Sequence, residues 1–207
     1  VELALTLTIP EDIVADISNN IPTGSVTISG TATQGQTLTA ANTLADADGL
    51  GTISYGWNRA GEIITGATSS TYTLVQADVG SAINVAASYT DGKGTSERVI
   101  SSATSAVANV NDAPSGSVTI SGTATQGQTL TAANTLADAD GLGTITNQWN
   151  RAGSAITGAT STSYSLVQAD VGSEISVTAS YTDGEGTAES VSSSATSAVA
   201  NVNDAPT

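Results

Sequence analysis

Hydrophobic and polar residues alternate in short runs along most of the chain, with Gly, Asn and Asp between the runs. Runs of this kind, spaced by roughly 8–12 residues, are typical of an antiparallel β-sandwich. In the first half they predict strands at residues 25–29, 36–41, 52–59, 62–64, 70–75, 82–89 and 97–109. The chain is therefore predicted to be all-β.

A long internal repeat organises the sequence. Segment 24–53 recurs without change as segment 116–145, and Trp57 recurs as Trp149, 92 residues later. A period of this length is enough for one independently folded domain, which favours a row of separate domains over one continuous solenoid. We predict two tandem β-sandwiches in an extended arrangement, at residues 23–112 and 113–207, the second including the start of a further linker.

Residues 1–22 precede the first repeat and are interpreted as a leading strand and a linker. Residues 1–9 alternate and predict a strand, which we interpret as the remnant of a different, preceding domain. Residues 17–22, ISNNIP, stand before the first repeat as residues 109–114, NVNDAP, stand before the second. The same phrase closes the chain, so the natural protein is expected to continue.

Differences between the two copies indicate which side chains face the core. Alternate residues of a strand point to opposite faces of its sheet. Residues 82, 84 and 86 change between the copies, whereas the residues between and after them recur, namely Ile83, Val85, Ala87 and Tyr89. The recurring residues are predicted to be buried, as are Trp57 and Trp149. Arg59 is expected to pair with Glu62, an option that Ser154 removes in the second copy.

Composition excludes several classes of function. Four Lys and Arg oppose 19 Asp and Glu, giving a formal net charge of −15. Such a chain repels nucleic-acid phosphates and anionic lipids, so neither nucleic-acid binding nor membrane insertion is expected. With no Cys and no His there is no disulfide, no thiol nucleophile and no Ser/His/Asp triad. We predict that the chain is not an enzyme and that its acidic excess suits divalent cations.

Specific motifs carry a resemblance to a known family. Trp57 on a central strand, Tyr72-Thr73-Leu74 on a later one and Asp78-Val79-Gly80 before the next resemble the immunoglobulin-like family. The longer pattern, LADADGLG through WxRxG, YxLxQADVG and SYTDGxGT to VANVNDAP, is similar to repeats of large secreted adhesins of the RTX type. It spans about residues 17–207, and its linker VNDAP also resembles the calcium junctions of cadherins.

The resemblance implies where the protein acts and what it contacts. The chain is expected to be secreted to the bacterial cell surface and to be monomeric. Its repeats are expected to act as extender modules that contact neighbouring repeats, while another domain binds the host or surface ligand.

Clustered Asp and Asn suggest calcium as the cofactor, because Ca²⁺ takes six to eight oxygen ligands. The resemblance places the DADG loop, the TDGxG loop and the entering linker at one end of each sandwich. The predicted ligands at the central junction are Asn109, Asn111, Asp112, Asp138, Asp140 and Asp183, with Asp78 approaching from the first domain. The corresponding set in the first domain is Asn20, Asp46, Asp48 and Asp91. It is expected to bind more weakly, because Asn20 stands in place of a carboxylate.

Structural alternatives exist for each of these motifs. Asp-x-Asp-Gly forms Asx-turns without any metal, and Asp78 is of a type that often bonds a turn backbone. The NDAP phrase also serves as a stiff linker, because proline favours an extended preceding residue. The favoured function is a structural extender rigidified by calcium at the junction. The alternatives are a carbohydrate- or protein-binding adhesive module and an accessory spacer of a secreted enzyme.

Overall fold

The computed structural model describes residues 18–203, so the strand predicted at residues 1–9 lies outside the described residues. The chain divides into two compact units, of which the first ends at Asn109 and the second begins at Val110. In the described part of the chain, no helix is long and apolar enough to cross a membrane.

Each unit contains the same series of strands. Those of the first unit are β1 (Val26–Ser29), β2 (Thr37–Asn42), β3 (Ser54–Arg59), β4 (Glu62–Ile63), β5 (Thr71–Thr73), β6 (Ile83–Thr90) and β7 (Ser96–Ile100). Those of the second unit are β8 (Val118–Ser121), β9 (Thr129–Asn134), β10 (Thr146–Arg151), β11 (Ser154–Ala155), β12 (Ser163–Ser165), β13 (Ile175–Thr182) and β14 (Ala188–Ser192). A short 3₁₀ turn precedes β6 and β13, at Gln76–Asp78 and Gln168–Asp170.

The strands of each unit form two antiparallel sheets. In the first unit the sheet orders are β1-β2-β5 and β4-β3-β6-β7, and the second unit repeats them as β8-β9-β12 and β11-β10-β13-β14. The first, second and fifth strands thus share one sheet, and the third, sixth and seventh share the other, as immunoglobulin-like Greek keys require. Each unit is an immunoglobulin-like β-sandwich.

A tryptophan lies at the centre of each core. Trp57 and Trp149 are completely buried, which confirms the prediction. The Trp57 indole Nε1 donates to the carbonyl oxygen of Ser69 at 2.9 Å, so its one polar atom is satisfied. On β6 the recurring residues are buried as predicted from the copy differences, namely Ile83, Val85, Ala87 and Tyr89. Each large apolar side chain buried in this way contributes about 1.5–3 kcal/mol.

The last strand is shorter than the sequence suggested. One strand was predicted over residues 97–109, but β7 ends at Ile100, which pairs with Ala86 in the middle of β6, and the regular pairing stops there. Ser101 Oγ accepts a hydrogen bond from Val85 N at 3.1 Å, and Thr104 Oγ1 accepts one from Ile83 N at 3.0 Å. The prediction was wrong because these hydroxyl oxygens replace the carbonyl acceptors that a continuous strand would supply.

An ion pair joins β3 to the 3₁₀ turn in each unit. Asp78 is fully buried; its Oδ1 accepts from Arg59 Nε at 2.7 Å, and its Oδ2 accepts from the Tyr72 hydroxyl at 2.9 Å and from Val75 N at 2.8 Å. Arg59 therefore pairs with Asp78 and not with Glu62 as predicted. Burial raises the pKa of Tyr72, and its hydrogen bond to Asp78 raises that pKa further.

The second unit repeats this ion pair. Arg151 contacts Asp170 at 2.6 Å, and the Tyr164 hydroxyl and Val167 N complete the environment of the carboxylate. The pair is thus preserved in both copies although the residue at the Glu62 position is not.

Replacing Asp78 by Asn should destabilise the first unit alone. A fully buried ion pair that loses one partner costs about 3–5 kcal/mol; because the Arg59 side chain is 31% exposed, we expect about 2–3 kcal/mol. Urea unfolding of the whole chain should then separate into two transitions, with the variant unit unfolding first. Glu62→Gln is the control, since an exposed substitution changes stability by no more than about 0.5 kcal/mol. Coincident transitions for both variants would contradict the assignment.

Candidate metal centre

Two acidic loops lie against each other at one end of each unit. In the second unit the loops are residues 138–141 and 183–186, and Gly184 N donates to the carbonyl oxygen of Asp140 at 3.0 Å. A Cβ atom at Gly184 would lie 2.5 Å from that oxygen, so only glycine permits this approach. The first unit repeats the contact between Gly92 N and the Asp48 carbonyl oxygen at 3.0 Å. The structure thus brings together the two loops that carry the predicted ligands.

Some oxygens of these carboxylates hold the loops in shape. Asp138 Oδ1 accepts from Asp140 N at 2.9 Å, and Asp138 Oδ2 accepts from the Tyr181 hydroxyl at 2.6 Å. Asp183 Oδ1 accepts from Glu185 N at 3.0 Å and from Thr187 N at 2.7 Å. The bonds from Asp140 N and Glu185 N are the Asx-turn bonds of the structural alternative. Together with the bonds from Tyr181 and Thr187, they account for one oxygen of Asp183 and both of Asp138.

Two other carboxylate oxygens are buried without a partner. Asp140 and Asp183 are only 5% and 6% exposed, and Asp140 Oδ1 and Asp183 Oδ2 have no hydrogen-bond partner among the described residues. A buried polar atom left unsatisfied costs about 1–3 kcal/mol, and more when the group is charged. A bound cation would remove that penalty. In the first unit, Asp91 Oδ2 is buried in the same way.

The incoming linker contacts these loops on the unit that follows it. Asp112 N donates to Asp140 Oδ2 at 2.6 Å, and Asn111 Nδ2 donates to Glu189 Oε1 at 2.8 Å. In the first unit, Asn20 N donates to Asp48 Oδ2 at 2.5 Å, and Asn19 Nδ2 donates to Glu97 Oε1 at 2.8 Å. We call each arrangement of linker and two acidic loops a linker seat. The first comprises residues 18–20, 46–49 and 91–97, and the second comprises residues 110–112, 138–141 and 183–189.

Glu97 and Glu189 belong to the linker seats although the sequence analysis did not select them. The carboxylate oxygens of Asp46, Asp91 and Glu97 lie within 4.8 Å of one another. Oxygens this close can share one Ca²⁺, because each Ca–O distance is about 2.3–2.6 Å. The signal in the sequence is that a glutamate recurs at this position in both copies, six residues after the aspartate of the TDGxG loop.

A lysine occupies the first linker seat. Lys93 Nζ lies 2.8 Å from Asp48 Oδ1, and the Asn20 side-chain amide donates to the same oxygen at 2.9 Å. The hydrogen bond from Lys93, followed by the one from the Asn20 backbone, lowers the pKa of Asp48 to about 2. Lys93 has no counterpart in the second unit, where Glu185 stands at the same position.

Two predicted ligands lie elsewhere in the first unit. Asp78 is fully buried, and both its carboxylate oxygens accept hydrogen bonds within that unit. Asn109 is the last residue of the first unit, and its Oδ1 is buried with no hydrogen-bond partner among the described residues. Their roles as ligands at the junction stay predictions.

Comparisons with known proteins identify no family. No family model matches the chain, and no curated protein matches it. Solved structures that it is similar to include three N-terminal domains of the highly immunogenic outer capsid protein (Hoc) of bacteriophage RB49, with 17% identity, a TM-score of 0.30, and coverage of 83% of this chain and 58% of that one. They also include fibronectin(III)-like modules of Clostridium thermocellum CbhA, with 21% identity, a TM-score of 0.29, and coverage of 85% and 94%.

A third similar structure is a tetra-tandem repeat in the extending region of a large adhesion protein, with 23% identity and a TM-score of 0.31. The match covers 85% of this chain but 49% of that one, so the chain spans about half the length of that structure. At these values the similarities carry no argument about function.

The Asp48 carboxyl should titrate near pH 2 in the folded chain, and Lys93→Met should move its pKa up toward the ordinary value of 3.8. Because the folded-state pKa is lowered, Asp48 stabilises the fold fully above about pH 4 and loses that contribution as the pH falls toward 2. A carboxyl-carbon NMR titration of both proteins measures the two values. An Asp48 pKa near 3.8 in the unmodified chain would contradict the contact.

Proposed function

We propose that this chain is a pair of structural spacer modules from a secreted bacterial surface protein, and that calcium fixes the linker to the second module. The observation that carries the proposal is the pair of buried, unpartnered oxygens of Asp140 and Asp183 in the second linker seat. The other oxygen of Asp140 already holds the linker backbone at Asp112 N. A cation bound to the free oxygens would therefore act on the loop that holds the linker.

The ligand chemistry favours calcium over transition metals. The second seat offers only oxygen donors, from carboxylates and the linker backbone, and the chain has no Cys or His. Oxygen-only sites suit the hard cations Ca²⁺ and Mg²⁺. Calcium is the better fit because it accepts irregular geometry and up to eight oxygens, whereas Mg²⁺ demands near-ideal octahedral geometry. The candidate carboxylates are Asp112, Asp138, Asp140, Asp183 and Glu189.

Calcium at this seat would stiffen the junction by a simple electrostatic mechanism. Without a cation the clustered carboxylates repel one another, which weakens the hold of the loops on residues 110–112. A bound cation neutralises the cluster and fixes those linker residues to the second unit. Fewer residues are then free to bend, so the proposed tandem array is held extended and its reach grows with the number of modules.

A carbohydrate-binding role is less well supported. Sugar-binding sites of this kind need an exposed aromatic platform. Both Trp and all five Tyr lie in the described part of the chain, and each of them is buried or half-buried. The same spacer modules would serve an adhesin or a secreted enzyme equally well, and the adhesin assignment rests on the sequence resemblance.

Calcium should raise the melting temperature of the second unit. Ligand that binds only the folded state stabilises it by about 2.7 kcal/mol when its free concentration is 100 times the dissociation constant. Asp140→Asn and Asp183→Asn should each remove most of this gain, while Glu174→Gln, an exposed change outside the seat, should keep it. Scanning calorimetry with calcium and with chelator measures the effect. Equal calcium responses in all three variants would overturn the site.

Calcium should also increase the maximum dimension of the chain in small-angle X-ray scattering. Chelator should shorten the average particle and broaden its distance distribution, and calcium re-addition should reverse both changes. Asp112→Ala removes a linker carboxylate and should reduce the calcium response while each sandwich stays folded. Unchanged scattering in the original chain, with calcium binding confirmed by calorimetry, would leave a metal site that does not control extension.

A further inference from the structure

The two linker seats differ at two positions that bear on one carboxylate. Asn20 of the first unit corresponds to Asp112 of the second, and Lys93 corresponds to Glu185. The acidic residues otherwise match: Asp46, Asp48, Asp91 and Glu97 recur at equivalent positions in the second seat. The first seat thus has four carboxylates and one ammonium, whereas the second has six carboxylates.

In the first unit, the Lys93 ammonium joins the linker to the DADG loop. Its Nζ lies 2.8 Å from Asp48 Oδ1 and donates to the carbonyl oxygen of Ser18 at 2.7 Å. A linker carbonyl and a loop carboxylate are also ligand types that Ca²⁺ binds. The Lys93 ammonium therefore joins the same two oxygens, of Ser18 and Asp48, that a bound Ca²⁺ could join.

In the second unit, the oxygen equivalent to Asp48 Oδ1 is Asp140 Oδ1. Both residues that donate to Asp48 Oδ1 are replaced there by acidic residues. Asp48 Oδ1 receives bonds from the Asn20 amide and from Lys93, but an ionised Asp112 or Glu185 side chain has no proton to donate. Asp140 Oδ1 is correspondingly buried with no hydrogen-bond partner among the described residues. The same two substitutions that remove the donors also add negative charge.

We propose that Lys93 is a built-in cation that holds the first linker without metal, so that the residue at this position decides whether a module requires calcium. The proposal rests on calcium binding at the second seat, as proposed above. The remaining first-unit group of Asp46, Asp91 and Glu97 keeps some capacity for a cation. Since the Lys93 ammonium repels a divalent ion nearby and occupies Asp48, calcium binding there should be weaker by roughly tenfold or more.

Hydrogen exchange of the whole chain, followed by mass spectrometry, can test each seat separately. Segments 24–53 and 116–145 have the same sequence and give indistinguishable peptides, but residues 91–100 and 183–192 differ. Peptides from these two segments therefore report on the first and second seats. With calcium in place of chelator, exchange should slow in residues 183–192 and remain nearly unchanged in residues 91–100.

Swapping the residues at these two positions between the two seats is the decisive experiment. Asn20→Asp combined with Lys93→Glu should make residues 91–100 respond to calcium, with an affinity at least roughly tenfold higher than in the original first seat. Asp112→Asn combined with Glu185→Lys should remove the response of residues 183–192. In each variant the untouched unit is an internal reference for the calcium response, and unchanged exchange in the core strands of the altered unit checks that it remains folded. Arg98→Ser, which reproduces the second copy outside this contact, controls for loss of positive charge and should create no response.

The outcomes separate this inference from the proposed function. Equal calcium responses of both segments in the original chain would overturn the role of Lys93 and leave the calcium site standing. A first seat that stays unresponsive after Asn20→Asp and Lys93→Glu, beside a responsive second seat, would also overturn it. No calcium response in either segment of any protein would overturn both proposals.

Discussion

The close backbone approach of the two acidic loops is the contact on which the linker seats depend. Gly184 N reaches the carbonyl oxygen of Asp140 at 3.0 Å, a distance that a side chain at Gly184 would not allow. With the backbones in contact, Asp138, Asp140 and Asp183 are held near one another on short, bonded turns. The burial of Asp140 and Asp183 follows from this packing, which also places one Asp140 oxygen within hydrogen-bond distance of the linker backbone.

The two linker seats share one backbone arrangement but differ in charge, because the first contains a lysine where the second has a glutamate. The loops, their glycines and the hydrogen bond from the linker backbone are the same in both, so the backbone does not distinguish the seats. The seats differ in two side chains. Asn20 and Lys93 contact Asp48 in the first unit, whereas Asp112 and Glu185 stand at the corresponding positions of the second. A repeat can thus keep its fold and change the charge and the hydrogen-bond donors of its linker seat at very few positions.

Much of the fold could be predicted because strand periodicity is local. The alternation on β6 and the burial of Trp57 follow from short-range pattern, and the internal repeat marked where each domain recurs. The end of β7 could not be predicted, because it depends on hydroxyl oxygens meeting amides of a strand distant in sequence. The Arg59–Asp78 pair was missed for the same reason, although its preservation in both copies, unlike Glu62, was a usable signal.

The candidate site was predicted in outline and not in detail. The DADG and TDGxG loops are recognisable by composition, but nothing local in the sequence shows that Lys93 reaches Asp48 or that Glu97 faces Asp46 and Asp91. Those relations arise from the side-by-side placement of the last hairpin and an earlier loop. Which oxygens remain without a donor is a property of the folded arrangement alone.

The direction in which the linker is held has a consequence for folding during synthesis. Each linker is bonded to the unit that follows it, so the seat of a unit is built from its own loops and from residues that precede it. A chain emerging N-terminus first therefore has every group of the seat available once that unit has emerged, before its near-identical successor appears. Because each seat can form before the next repeat is made, strands of one repeat have less time to pair with those of the next. Such pairing is a characteristic error of repeat proteins.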